Sequence, residues 1–389
     1  MNPVIPFAVR RPWLLTRELF RTRSQPDVAR LRAIGDPETF VWKCLPHAAR
    51  TFAACITLLP KDSARIAAVA YLYCRILDTY EDVIPDHAER EAALAEFGAR
   101  FHVPDARFPR PAPRIAPGRA RDRRDQAHVV LVNRCQLVDR VFRDLTPHAR
   151  SNIAMLVESM AAGMIWSSRT FQRQGGVLKD GTQLSQYCRN VIGLPFLFGV
   201  RLLFQQRTGS ADITDALRED CLATGEMVQL ANITRDIEAD LHRGIAYHPA
   251  LARDLGQRSD EPGRRERIRR VREELLVRAL AMAPAYRRMM EALPFRRVSL
   301  SRASGVLMLQ FTDRYYRSCA REVGRAAWPG PRSRLALIAM TAYHVVAARG
   351  SARTVRRITE RFVRGARPSP SSGVVTDATG DRSSQAMFQ

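Results

Sequence analysis

The sequence predicts an all-α protein, a single bundle of packed helices, on three observations. Apolar residues recur at spacings of three and four through most of the chain from Glu38 to Val363, the period of a helix with one buried face. The period-two alternation of half-buried strands is nearly absent. No G-x-G-x-x-G and no G-x-x-x-x-G-K-[ST] occurs, which excludes a Rossmann or P-loop nucleotide site.

The elements follow in order. Residues 1–36 are basic with weak periodicity and read as a partly ordered lead-in. Helical spacing runs from Glu38 to about Arg100, punctuated by Pro46 and Pro60. The stretch 102–125 carries Pro104, Pro109, Pro111, Pro113 and Pro117 among clustered arginines and reads as a loop insertion. Helical patterns resume over 126–144, 148–173, 182–206, 212–241, 264–292, 299–324 and 332–363. The last residues, 364–389, are rich in Ser, Pro, Gly and Asp and read as a disordered tail. One domain over 37–363 accounts for the patterned part of the chain.

Composition narrows the class. Of 389 residues, 46% are hydrophobic, enough for a large core. The formal net charge is +23, which points to anionic substrates, an anionic membrane surface or nucleic acid. No basic-aromatic module, zinc-finger spacing or basic-region zipper is present, so no nucleic-acid partner is expected. Seven scattered cysteines, with no C-x-x-C pair, read as reduced buried thiols of a cytoplasmic protein. The opening MNPVIPFAVRRPW lacks a signal-peptide core. The longest apolar runs, 191–204 and 335–348, are short for a bilayer, so no transmembrane helix is expected.

Two acidic motifs carry the chemistry. In AYLYCRILDTYEDVIPD, Asp78 and Asp82 stand at i and i+4, with Glu81 beside them. The preceding Val69, Ala70, Leu72, Ile76 and Leu77 are apolar, so the acids continue a buried helix. Carboxylates there need compensation, and a hard cation such as Mg²⁺ supplies it. A solvated helix end running into Pro85 explains the same letters. Arg75 either pairs with these acids or holds a phosphate.

The second motif is GEMVQLANITRDIEADLHRGIAYHP. Gln229, Asn232, Asp236 and Asp240 form one polar stripe, while Met227, Val228, Leu230, Ile233 and Ile237 make the other faces apolar. Amides and carboxylates stacked on an otherwise apolar helix suit a metal–phosphate site, with Arg235 and Arg243 adding positive charge. Two such helices facing each other can hold Mg²⁺ and neutralise a diphosphate leaving group.

Four segments in order resemble the squalene/phytoene synthase family over roughly residues 38–350. They are Ala49-Arg50-Thr51-Phe52-Ala53, similar to S-R-S-F-A; Arg75 to Asp82, similar to R-x-x-D-T-x-E-D; Tyr187 to Gly193, similar to Y-C-x-x-V-x-G; and Gln229 to Pro249, similar to Q-x-x-N-I-x-R-D-x-x-x-D with an R-G and Tyr-x-Pro ending. The resemblance implies an isoprenoid-synthase-type helical bundle with a central cavity. It implies Mg²⁺ held by Asp78, Glu81, Asp82, Asn232, Asp236 and Asp240. Arg50, Thr51, Phe52, Arg75, Gln229, Asn232, Arg235 and Arg243 would bind substrate, and Tyr187 would stand near the leaving group as donor or proton shuttle. Phe52, Tyr71, Phe196 and Phe198 are candidate cation-stabilising faces, although plain core packing is the stronger reading of the last three. The chain departs from the family at Val83, where a further acid is common, and at Ile245, where many relatives have Arg.

The reading that follows is head-to-head condensation of two identical prenyl diphosphates through a cyclopropyl diphosphate. The D-T-x-E-D form leans to the squalene type, from farnesyl diphosphate with hydride from NADPH. The Arg-Gly-x-x-Tyr-x-Pro ending, and the lack of a Lys/Arg segment for NADPH after Phe311, lean to the phytoene type from geranylgeranyl diphosphate. A relative that stops at the cyclopropyl stage or cyclises one substrate, and a non-catalytic lipid-binding helical protein, are the remaining alternatives. The basic surface suggests peripheral association with anionic membrane.

Overall fold

A computed structural model describes residues 25–49, 51–102, 109–256, 262–330 and 334–367. Asp27 caps α1 (Val28–Ala33), accepting from the Arg30 amide at 3.0 Å. Helix α2 (Pro37–Ala49) begins on proline, which has no amide to leave unpaired, and runs through Pro46. Pro46 sits in the last turn and removes only one late bond, so it does not break the helix as the sequence suggested. Pro60 does separate α3 (Thr51–Leu58) from α4 (Lys61–Val83). Asp86 caps α5 (His87–Ala99), Asp122 caps α6 (Arg123–Asn133) and Thr146 caps α8 (Pro147–Arg173), which follows α7 (Cys135–Arg143). Asp180 caps α9 (Gly181–Cys188), which passes through a π-turn at Arg189–Gly193 into α10 (Leu194–Thr208). Then come α11 (Asp215–His242), α12 (Pro262–Ala281), α13 (Ala283–Ala292), α14 (Leu300–Glu322), α15 (Arg334–Val346) and α16 (Ala348–Gly365). No strand occurs among the described residues; one isolated bridge joins Val177 and Ala246.

Four boundaries differ from the sequence reading; one is that the stretch expected over 332–363 divides at Ala347 into α15 and α16. The helix expected over 126–144 divides at Arg134, whose guanidinium leaves the helical path to donate to the Leu31 and Arg32 carbonyls at 3.0 and 2.5 Å. The helix expected over 264–292 divides at Met282. Within 102–125, the last three residues are the first turn of α6, and residues 109–116 lie pinned to the core. The Tyr80 hydroxyl donates to the Pro113 carbonyl at 2.6 Å, Arg100 Nε donates to the Arg110 carbonyl at 2.7 Å, and Ile115 and Asn133 exchange two bonds. Prolines keep their carbonyls, and buried donors take them. Residues 103–108, the first 24 residues and those after Arg367, including most of the expected disordered tail, lie outside the described residues.

The core has two large parts and one small one. The first gathers α2 and α4 to α8; the second gathers the α9–α14 region with α16; the third joins α3 to α14. Phe52 packs against all three, which places it where the halves of the bundle meet. All seven cysteines are buried and unpaired, as expected. In line with the helical pattern over 182–206, α9, the π-turn and α10 form a continuous 28-residue helix, long and apolar enough by length and composition to cross a membrane. The apolar run 191–204 understates its length because Arg189 and Asn190 end the run without ending the helix. A third of its most apolar window is buried, and Arg189 pairs with Glu219 at 3.0 Å.

The π-turn has a packing cause. A Cβ on Gly225 of α11 would meet the Gly193 Cα at 2.3 Å, so the two backbones cross in near contact. Only glycine at 225 permits this, and the crossing sets α11 against the helix that carries Tyr187. Gly225→Ala is therefore expected to destabilise the protein by about 1–3 kcal/mol, read as a lower Tm by calorimetry; an unchanged Tm would show that the crossing can relax.

Candidate active site

A cavity of about 690 Å³ lies between the two large cores. Along α4 it is lined by Ser63, Ala67, Ala70, Tyr71, Cys74, Arg75, Asp78 and Asp82, one face in steps of three and four. That face is about 28 Å long at 1.5 Å per residue. Its first part is mostly apolar and its last turn is acidic. Gln229, Asn232, Asp236 and Asp240 of α11 line the same cavity. Both predicted acidic motifs thus meet, and the apolar residues predicted behind them, from Val69 to Leu77 and from Met227 to Ile237, are buried.

Arg243 joins the motifs. It follows α11, and its guanidinium donates to Asp82 Oδ1 at 2.7 Å and also to Asp240. Gly244 makes the turn possible with φ of +80° as the left-handed residue after the helix. Arg235 forks onto its neighbour Asp236 at 2.9 and 2.6 Å. Arg75 Nη1 lies 3.2 Å from Asp78 Oδ2, while its Nε is buried with no acceptor. Asn232 donates to Gln229 Oε1 at 2.9 Å. Ile245, where many relatives carry Arg, packs against the second core; Arg243 is the cation that stands between the acids.

Burial dominates the electrostatics. It pushes the Asp78 carboxyl up to about 6 against the pull of Arg75, and Asp240 up to about 6 against Arg243. Glu81 rises to about 8 from burial and the neighbouring Asp82 and Asp78; it accepts from Ser167 Oγ at 3.4 Å. The arginines present do not fully compensate these acids. No three His, Cys, Asp or Glu side chains among the described residues converge on one cation position. The donors are instead carboxylate pairs on two facing helices, all hard oxygens. That set fits Mg²⁺, which keeps waters and takes substrate phosphate oxygens for its remaining positions. The unpaired Arg75 Nε is a donor for such a phosphate.

Tyr187 is buried at the acidic end, its hydroxyl 3.1 Å from that of Tyr247. Burial pushes both phenols well above their ordinary range, so both stay protonated. Tyr247 was not singled out from sequence, although the Tyr-x-Pro ending contained it. It is placed by the Val177–Ala246 bridge, where Leu178 donates to the Ala246 carbonyl at 2.9 Å and Ala246 donates to the Gly176 carbonyl at 2.8 Å. Gly176 is required there: its φ is +87°, and a Cβ would lie 2.2 Å from the Gly244 carbonyl oxygen. Phe52, Tyr71, Phe196 and Phe198 all line the cavity, Phe52 stacking tilted on Tyr71 at 5.8 Å. Arg50 lies outside the described residues; Thr51 opens α3.

Sequence reasoning also missed His128, Arg121 and Arg124, which α6 and its approach bring to the cavity wall. The usable signal was Asp122, a capping acid ahead of an apolar run. Burial, with Arg75 and Arg124 nearby, drives the His128 pKa well down, so it is neutral.

The sequence profile of the squalene/phytoene synthase family matches residues 45–337. Squalene synthase of Rattus norvegicus is 26% identical over 209 residues, 54% of this chain and 45% of the rat protein, so less than half of that relative is spanned. Two solved structures, of TcSQS with ligand BPH1237 and of TcSQS with ligand E5700, superpose with TM-scores of 0.57 and 0.56. Each is 18% identical, over 85% of this chain and 98% of the other; the likeness is one of fold.

The raised acids have a consequence for stability. Their folded pKa values exceed the unfolded ones, so the folded state binds more protons and stability falls as pH rises. The window runs from about 4 to about 8, set by Asp78, Asp240 and Glu81. Metal-free protein is expected to melt at a lower temperature at pH 8 than at pH 5.5, and Glu81→Gln to recover part of the loss. A Glu81→Gln protein no more stable than wild type at pH 8 would contradict the uncompensated burial.

Proposed function

This chain belongs to the squalene/phytoene synthase family, and we propose from that premise that it joins two identical prenyl diphosphates head to head. The observation that carries the reading is the pair of acidic helices facing each other at one end of a long cavity whose remaining wall is mostly apolar. A diphosphate fits the charged end and an isoprenoid chain fits the remainder.

Asp78, Asp82, Asp236 and Asp240, with Glu81 and Asn232 beside them, would hold Mg²⁺. When bound, the ion supplies charge that neutralises the departing diphosphate. Arg75, Arg235 and Arg243, with Gln229, orient the phosphate oxygens; each arginine needs only a rotamer change to move from its carboxylate to a phosphate. By family resemblance Arg50 and Thr51 join them. The C1–O bond of one substrate breaks with its electron pair leaving on diphosphate. The C2=C3 electrons of the second substrate then bond to that C1, and loss of a proton closes the cyclopropane. Tyr187, protonated and paired with Tyr247, donates a hydrogen bond to the leaving group. The apolar wall excludes water that would quench the cation, and the faces of Phe52, Tyr71, Phe196 and Phe198 stabilise it.

For the finer outcome we favour the squalene type, with farnesyl diphosphate as substrate and NADPH as hydride donor in the second half-reaction. The D-T-x-E-D motif supports it. Purified protein with Mg²⁺ and farnesyl or geranylgeranyl diphosphate, each with and without NADPH, tests it. A C30 hydrocarbon made only with NADPH is expected. A C40 product without NADPH would assign the phytoene type. A cyclopropyl diphosphate or cyclised terpene as end product would mean that Ile245 has redirected the second step, and no substrate consumption would leave a lipid-binding role.

Asp82→Asn and Asp236→Asn are each expected to lower turnover by at least about a hundredfold, with circular dichroism and Tm near wild type. Chelation by EDTA should stop turnover and Mg²⁺ restore it. Near-normal rates in either variant would remove the metal-site assignment.

A further inference from the structure

Five large hydrophobic side chains are exposed among the described residues: Met155, Val298, Tyr343, Val346 and Val363. Four of them belong to one region of the chain, formed by the 293–299 loop, the end of α15 and α16. Val298 and Val346 are each 60% exposed and Tyr343 is 53% exposed. The loop and the end of α15 are tied together. Arg302, itself only 5% exposed, donates to the carbonyls of Arg296, Arg297, His344 and Val345 at 2.6, 2.8, 3.3 and 2.9 Å, and the Ser299 amide donates to Val345 at 2.9 Å. Val298 and Val346 each adjoin a residue of that clamp. They are held outward by a buried network rather than left on a loose loop.

The same region is strongly basic. Helix α16 carries six arginines and one acid, Glu360. Its buried face is Ser351, Thr354, Val355, Ile358, Thr359 and Phe362, and its solvent side presents Arg349, Arg353, Arg356, Arg357 and Arg364. Of these only Arg356 has an ion-pair partner among the described residues, Glu360 at 3.8 Å. Arg296 and Arg297 are exposed on the loop, and Arg207 lies close enough to Arg296 to be repelled by it. The loop is also the cavity wall: Leu293 and Phe295 line the cavity, while the next three residues face solvent.

We propose that this face docks on an anionic lipid bilayer, with Val298, Tyr343 and Val346 entering the interface and the arginines of α16 and the loop on the headgroups. Unpaired arginines flanking apolar side chains match that surface, and a cavity separated from it by one loop suits release of an apolar product into lipid. The inference deepens the proposed function and rests on it for that product. Binding is read without substrate, so docking and turnover can fail independently.

The test is sedimentation of the full chain with phosphatidylcholine vesicles, with and without phosphatidylglycerol, at low and raised salt. Wild type is expected to bind only the anionic vesicles and to be released by salt. R349E/R353E/R364E should weaken binding at least about tenfold, and V298S/V346S should weaken what persists at raised salt, both with wild-type Tm. Variants that bind as well as wild type, equal binding to neutral vesicles, or capture of duplex DNA with no binding to vesicles would overturn the proposal.

Discussion

The structure depends on the cost of holding carboxylates inside a helical bundle. Asp78, Glu81 and Asp240 are raised well above the ordinary carboxylate range, chiefly by burial. Arg243 spans Asp82 and Asp240 and is the contact that lets the two acidic helices approach. An arrangement so incompletely compensated makes sense as a site for further positive charge, and it leaves donors such as Arg75 Nε for an anion. The proposed chemistry and the instability of the acid cluster thus have one origin.

The surrounding fold keeps that cluster in place against repulsion. The Gly193–Gly225 crossing sets α11 against the π-turn that follows Tyr187. The strap of Gly176 and Ala246 fixes Tyr247 beside it. Farther out, a fully buried Arg100 binds Asp139 through two nitrogens at 2.9 and 2.8 Å, and Tyr73 donates to the same carboxylate at 2.7 Å. This joins α4, the insertion and α7 behind the cavity. Buried arginines recur as clamps, at Arg100 on one side and Arg302 on the other. Each takes up carbonyl or carboxylate oxygens that irregular backbone would otherwise leave unpaired. Such clamps account for part of the arginine content; Arg349, Arg353, Arg357 and Arg364 of α16 are among those with no such role.

Much of the site could be read from the chain because its signal is local. An i, i+4 acid pair behind an apolar run, and a Gln-Asn-Asp-Asp stripe on an apolar helix, need no tertiary information to stand out. Phe52 and Tyr187 entered through family resemblance, and both line the cavity. The misses were residues whose role depends on what folds against them. Tyr247 is defined by a hydrogen bond to a residue sixty positions away. His128 and Arg124 were hidden in and behind a proline-rich stretch whose carbonyls turn out to be satisfied by Tyr80 and Arg100.

The sequence by itself determined the helical class, most helix positions and the two acidic motifs, because period and spacing are properties of neighbouring residues. Only the tertiary structure decided where helices divide, at Arg134, Met282 and Ala347. It alone decided that Arg243 rather than residue 245 stands between the acids and that Phe52 sits where three cores meet. Those outcomes turn on contacts between segments far apart in the chain, whose energies local pattern does not encode.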